Sequence, residues 1–330
     1  MDNLLKIYGE PLENGFAKYL NLQILKRLDG VGMNCGVEYT SIPFFARLPK
    51  STRYHHSLGV ALIVNHFGGS KEAVLSGLFH DIATHCFAHS IDFLNGDYEK
   101  QISTEDLTAS LLKGSEELIG YLAEDNVNLN SIIDYSLYPL CDNPSPHLSA
   151  DRLEYTLRNI LYFGFADLKT IKTMYQDLMV GENEFGENEI IFNHLQEALS
   201  FGLLSLKTSE VYVSNEDRYA MEDLALTLKT AISEKLILPE DLMKTEKELI
   251  AKLVSSDRGK NFWNRYKSLK EVKEENSPSA YKIKSKLRYI NPYIYGQGRL
   301  SDLSNEFAED LQKFLLTDFS KPLTGVYSLL

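Results

Sequence analysis

The stretch Glu72–Asp81, EAVLSGLFHD, limits the fold of this chain more than any other. At helical length it is apolar nearly all round, the mark of a helix in the middle of a core rather than one on a surface. It ends on His80 and Asp81, two polar side chains with few polar neighbours in their own segment. A buried imidazole or carboxylate needs a partner, so other segments must meet this end. Apolar residues recur at helical spacing in Phe16, Leu20, Ile24 and Leu28, and again in Leu153, Leu157, Ile160 and Leu161, which predicts helices around it. The expected fold class is all-α: a helical bundle over 1–180, completed by a mainly helical C-terminal region over 181–330.

Three local signals refine this expectation. Ser103 followed by Asp106, just before LTASLL, reads as a capping box opening a helix. The stretch from Gly186 to about Leu253 reads as three helices, with Pro239 at a first-turn position. After Asn276, Tyr281, Ile283, Leu287 and Tyr289 alternate with Lys282, Lys284, Lys286 and Arg288. A period of two predicts a short β element with one basic face, within a small appendage at 276–330. That face suits either an edge strand protected by lysines or a phosphate-facing or regulatory surface.

With 44% hydrophobic residues in 330, one large core is within reach. A net charge of −12 argues against duplex DNA, whose non-specific binding needs clustered Lys and Arg. The cysteines, Cys35, Cys86 and Cys141, form no CxxC pair, so neither a disulfide framework nor a zinc ribbon is expected. No run of about 18 uncharged apolar residues occurs, and the acidic N-terminus lacks the pattern of a signal peptide. The expected location is cytoplasmic, with no membrane partner.

Six of the eight histidines lie between residues 55 and 89. Imidazoles and carboxylates meeting at the end of an apolar helix form a mixed nitrogen and oxygen shell suited to a divalent cation. The motifs RYHHSLGV (53–60), FHDIATHCFAHSID (79–92) and SADRLEYTLRN (149–159) resemble, in order and separation, the three motifs of the HD-domain phosphohydrolases. Among these they look closest to the dNTP triphosphohydrolase-like branch. The resemblance spans about residues 16–165. It implies an HD-domain helical bundle in which His56, His80, Asp81 and Asp151 hold one divalent ion (Mn, Fe, Zn, Ni, Co or Mg). It further implies that Arg53 contacts substrate phosphates, that His89 and Asp92 lie near the scissile phosphate and nucleoside, and that Arg152 and Tyr155 contact substrate.

Departures from the family pattern matter equally. Thr84 stands where the family has a proton-transferring histidine, with His85 one residue later, a rotation of about 100° on a helix. Ser103-Thr104-Glu105 stands where a catalytic His-Glu pair is usual, leaving Glu105 as a candidate acid or base. Arg27 and Asn159 occupy two sugar-reading positions, and Arg27 would suit an extra phosphate. His85 and His89, at i, i+4, form the candidate for a second ion.

The function expected is a metal-dependent phosphohydrolase acting on a nucleotide or related phosphorylated small molecule, with His85, His89 and Glu105 as catalytic candidates. The alternative is a catalytically weakened HD module that binds nucleotides as a sensor or scaffold. The family branch makes a homo-oligomer an expected form.

Overall fold

The computed structural model describes residues 3–12, 15–95, 105–275 and 280–328. Its centre is three helices: α1 (Arg53–His66), α2 (Lys71–Phe79) and α3 (Ala150–Tyr162). Each begins on a hydroxyl that caps a free backbone N–H, as helix starts require. Thr52 accepts from His55 N, Ser70 from Ala73 N and Ser149 from Arg152 N. Helix α2 is buried from Ala73 through Phe79, as its apolar sequence demands. Close approach decides how α3 meets α1. A Cβ at Gly59 would stand 2.6 Å from the Glu154 side chain, so only glycine there lets Glu154 reach under α1.

The largest cluster of buried apolar residues draws on both sides of residue 180. It joins Leu4, Val60, Leu78 and Leu157 to Phe192, Phe201, Ile290, Phe307 and Phe314. A second cluster packs Phe87 and Ile91 against Leu224, Leu249 and Trp263. Because Phe87 is anchored there, the loop that follows α2 is held by the C-terminal half of the chain. Among the described residues, no helix is long and apolar enough to cross a membrane.

The chain is mainly helical, but the all-α expectation holds only approximately, because two small sheets form. Residues 186–192 do not begin a helix. They enter a hairpin of β1 (Leu178–Glu182) and β2 (Asn188–Phe192), with Gly186 at φ +73° in the turn. Consecutive buried Ile190, Ile191 and Phe192 favour a strand covered on both faces. The remaining helices of this stretch are α4 (Leu195–Tyr212), α5 (Asn215–Ser233) and α6 (Glu246–Leu253). Pro239 opens a separate 3₁₀ turn at Pro239–Met243, while α6 has its own capping box of Thr245 and Glu248.

Strands β3 (Leu269–Glu274) and β6 (Leu323–Tyr327) pair antiparallel, and β4 (Tyr293–Ile294) and β5 (Gly298–Arg299) extend the first sheet. The expected strand at 281–289 is corrected. Only Tyr281 bridges to Leu323, and beyond it the Arg218 guanidinium takes the Ile283 carbonyl that a ladder would need. Residues 282–290 form an extended strap that lies outside the strands of both sheets among the described residues. Ser103 of the expected capping box lies outside the described residues, and the helix there begins at Glu105.

Candidate metal centre and its rim

His56 lies on α1, His80 caps the C-terminus of α2, Asp81 follows it in the turn, and Asp151 occupies the first turn of α3. Their polar atoms converge. His56 Nε2 is 3.0 Å from Asp151 Oδ1 and 3.2 Å from His80 Nε2. His80 Nε2 is 3.7 Å from the same Asp151 oxygen. Asp81 Oδ2 lies 3.9 Å from His56 Nε2 and 3.8 Å from His80 Nε2.

The outward-facing nitrogens fix what these atoms are. His80 Nδ1 donates to the Gly77 carbonyl at 2.7 Å, so the proton of the neutral ring sits there and Nε2 presents a lone pair. His56 Nδ1 meets Glu154 Oε2 at 2.6 Å, and the fully buried Glu154 is paired in turn with the fully buried Arg158. Two imidazole Nε2 atoms 3.2 Å apart, with two carboxylate oxygens beside them, cannot satisfy one another as lone pairs. A proton on His56 Nε2 or a divalent cation resolves that conflict, and backing each ligand histidine with a hydrogen-bond acceptor is what metal sites require. His56, His80 and Asp151 can hold the ion. Asp81 is adjacent, its Oδ2 also accepting from Arg53 Nη1 at 2.8 Å.

Ionisation follows the geometry. Burial opposes the His56 imidazolium, but hydrogen bonds to Asp151 and Glu154 outweigh it and lift this histidine to about 9 without metal. Burial likewise opposes the Asp151 carboxylate, yet His56 and His80 hold it down to about 2. Asp81 stays well below the usual carboxylate range, with Arg53 overcoming the cost of burial. A metal therefore competes with a proton at His56 and meets carboxylates already ionised.

Around this centre the expected substrate and catalytic residues take distinct positions. Arg53 is buried against Asp81, and its Nε has no hydrogen-bond partner among the described residues. Thr84 donates to Asp81 Oδ1 at 2.9 Å, so it supports the ligand where the family has a histidine. The chain leaves the helix after Phe79 and turns through 80–89, with Phe87 and Ala88 at φ +63° and +41°. His85 and His89 therefore do not share a helix face. Neither belongs to a set of side chains able to hold an ion among the described residues.

Burial and the nearby Arg27 push His85 down, against the pull of Asp92. His89 bonds the buried Asp92 at 2.9 Å, and burial, Arg288 and Arg53 hold its pKa low. Arg152 turns onto the preceding loop, pairing with Asp142 at 3.0 Å and the His147 carbonyl at 2.6 Å. Tyr155 packs edge-on against Tyr212, which accepts from Asn159 at 2.6 Å. Arg27 donates to the carbonyls of Ile82 and Thr84, both at 2.8 Å, and so braces the turn after His80 and Asp81. The Glu105 side chain lies outside the described residues.

Reading the sequence alone misses Glu154 and Tyr135. Glu154 is three residues past Asp151, one helical turn on, so helix geometry puts both on one face. Tyr135 stacks at 5.2 Å on the His80 ring, a contact made only by the fold.

Comparison with known proteins agrees with this geometry. Residues 53–134 match the family model described as HD domain. The chain is 29% identical over 286 residues to the uncharacterized protein YdhJ of Bacillus subtilis, covering 84% of each. It is 30% identical over 161 residues to the metal-dependent phosphohydrolase cns2 of Cordyceps militaris, covering 48% of this chain and 45% of that one.

Among solved structures, a hypothetical protein from Aquifex aeolicus superposes with TM-score 0.65 at 18% identity, over 98% of this chain and 94% of that one. A phosphohydrolase from Bacteroides thetaiotaomicron gives TM-score 0.61 at 12% identity, over 98% of each chain. At those identities the likeness is one of fold. Motif order, converging ligands and these relatives together make residues 53–134 an HD domain and support a place for the chain in the HD superfamily of metal-dependent phosphohydrolases.

Proposed function

We propose that this protein is a metal-dependent phosphohydrolase that cleaves a phosphate ester or anhydride of a nucleotide or related small molecule. The observation that carries the reading is the meeting of two imidazole Nε2 atoms and two carboxylates, with their outer nitrogens already committed to Gly77 and Glu154. A divalent ion bound there supplies a water of lowered pKa and polarises a phosphoryl oxygen.

The chain's own residues supply the remainder. Asp81 and Asp151 stay ionised at neutral pH. Arg53, held against Asp81, offers a permanent forked cation to the phosphate oxygens as charge spreads over them. His89, oriented by Asp92 and kept neutral, is positioned on the rim to take or deliver a proton at the leaving oxygen. Tyr155, on the same helix as Asp151, packs edge-on against Tyr212 and offers an aromatic surface to substrate. Arg152, in the first turn of α3, reaches substrate from its anchorage against the 142–147 loop.

The test is phosphate release from nucleoside mono-, di- and triphosphates and from p-nitrophenyl phosphate, with metal content measured in parallel. A protein that binds no added Mn²⁺, Fe²⁺ or Zn²⁺ and releases phosphate from none of these would sink the reading. Wild-type hydrolysis that is lost together with the metal in His80→Ala/Asp81→Ala would support it.

A further inference from the structure

Residues 130–141 run between α2 and α3, the two helices that bring His80 and Asp151 to the metal centre. On the α2 side Ile132 is buried, Ser76 Oγ donates to its carbonyl at 3.2 Å, and the buried Cys141 Sγ donates to the Ala73 carbonyl at 3.2 Å. On the α3 side Ala150 N donates to the Leu140 carbonyl at 2.8 Å and Asp151 N to that of Cys141 at 3.3 Å. Within the segment Tyr138 Oη donates to the Ser131 carbonyl at 2.6 Å. Asp134 opens the 3₁₀ turn Tyr135–Leu137 by accepting from Ser136 N at 2.9 Å. A turn anchored at so many points carries its first side chain to a fixed place.

That side chain is Tyr135, and it reaches His80. The two ring centroids lie 5.2 Å apart with the planes at 37°, within the range of favourable aromatic pairs. Two further contacts bear on the His80 ring. Its Nδ1 donates to the Gly77 carbonyl at 2.7 Å, and the His56 ring stands 5.1 Å away at 75°. The Gly77 bond holds one atom and leaves the imidazole able to tilt about it. The His56 contact joins two ligands of one ion and so cannot be independent of that ion. Tyr135 comes from a third element, and its ring meets the imidazole itself rather than one atom of it. The Nε2 lone pair lies in the ring plane, so whatever holds the plane aims the ligand.

We propose that Tyr135 is a positioning residue of the metal centre: its ring holds the His80 imidazole in the plane that directs Nε2 toward His56 Nε2 and Asp151 Oδ1 before an ion arrives. The inference rests on the metal centre of the phosphohydrolase reading, and it assigns the role to the aromatic ring rather than to the hydroxyl.

Competition with a chelating dye for Co²⁺, with the visible spectrum of bound Co²⁺ recorded alongside, tests it on the purified protein. Tyr135→Leu keeps bulk but removes the flat ring. It should weaken Co²⁺ binding about tenfold and alter the spectrum, because the ligand nitrogen is no longer held in place. Tyr135→Phe keeps the ring and should rescue both. Tyr138→Phe removes a hydrogen bond from the same segment, and should lower Tm while Co²⁺ affinity stays within about twofold of wild type.

Tyr135→Leu with wild-type affinity and spectrum overturns the proposal. So does Tyr135→Phe as damaging as Tyr135→Leu, which would move the role to the hydroxyl. A Tyr138→Phe that loses as much affinity as Tyr135→Leu overturns it too, because the effect would then belong to the folding of the segment. Should Tyr135→Leu fail to fold, or wild type bind no Co²⁺, the metal-free wild type decides. In a long-range ¹H–¹⁵N spectrum its His80 should show one Nδ1–H tautomer with ring protons displaced by the Tyr135 ring current. The averaged shifts of a freely turning imidazole would overturn the proposal. A wild type that binds Co²⁺ as expected yet hydrolyses no phosphate compound would refute the phosphohydrolase reading and leave the role of Tyr135 standing.

Discussion

Two clusters in this molecule offer the same kinds of ligand. One is His56, His80 and Asp151; the other is Asp177, His194 and Glu197. They differ in what the histidines do. In the first, both Nδ1 atoms are turned outward to Glu154 and Gly77, and the side chains of His56 and His80 are 2% and 5% exposed. In the second, His194 Nδ1 points straight at Asp177 and its side chain is 74% exposed. A proton already satisfies that pair, and solvent screens it. Residue types alone do not make a metal site. Committing the far nitrogen elsewhere and excluding water do.

The largest expected effect breaks the first cluster outright. His80→Ala/Asp81→Ala should lose bound metal and reduce phosphate release below detection while the far-ultraviolet spectrum keeps its helical form. Retained metal would mean that the ion sits elsewhere. Next comes the support behind His56. Glu154→Gln should weaken metal binding about 10- to 100-fold, the usual cost of removing such a partner, as measured by competition with a chelating dye. It should also lower Tm, because buried Arg158 loses its charged partner.

Gly59→Ala sharpens the same point without touching any ligand. Its Cβ would stand 2.6 Å from Glu154, so stability should fall by about 1–3 kcal/mol and metal affinity should fall with it. A variant destabilised in urea but unchanged in metal binding would show that the placement of Glu154 is not what tunes the site.

In the second cluster the expectation is near silence. Asp177→Asn and His194→Ala should each leave metal content unchanged and shift stability by roughly 0.5 kcal/mol or less. The smallest effect is on pH. The hydrogen bond to Asp177 raises the His194 pKa above its ordinary value. A raised histidine contributes stability in full below the unfolded value of about 6.5, and that contribution is lost as pH rises through the folded value. An NMR titration should find the His194 midpoint above that of the same histidine in Asp177→Asn, with the difference shrinking at high salt. Equal midpoints would remove the claim that a proton fills this cluster.

Much of the first cluster is legible in the sequence because its parts are local. Adjacent His80 and Asp81 at the end of a helix apolar on every side announce a buried polar junction, and capped helix starts at Thr52 and Ser149 place His56 and Asp151 within a turn of their helix N-termini. Helix periodicity fixes which face each occupies, whatever the rest of the chain does. The hairpin at 178–192 is less legible, because a run of buried Ile and Phe reads equally as strand or helix until its cover is known.

The sequence by itself determined the candidate ligand residues, the apolar helix that ends on two of them, and that threonines stand at 84 and 104 where the family has histidines. Only the tertiary structure decided that Arg27 braces backbone carbonyls, that Arg152 turns to the loop before its own helix, and that Arg288 comes near His89 from 199 residues further along. The physical reason is range. Backbone geometry dictates neighbours within a helical turn, whereas the meeting of distant segments depends on which apolar faces bury together, here Leu287, Tyr289 and Ile290 against a core begun near the N-terminus.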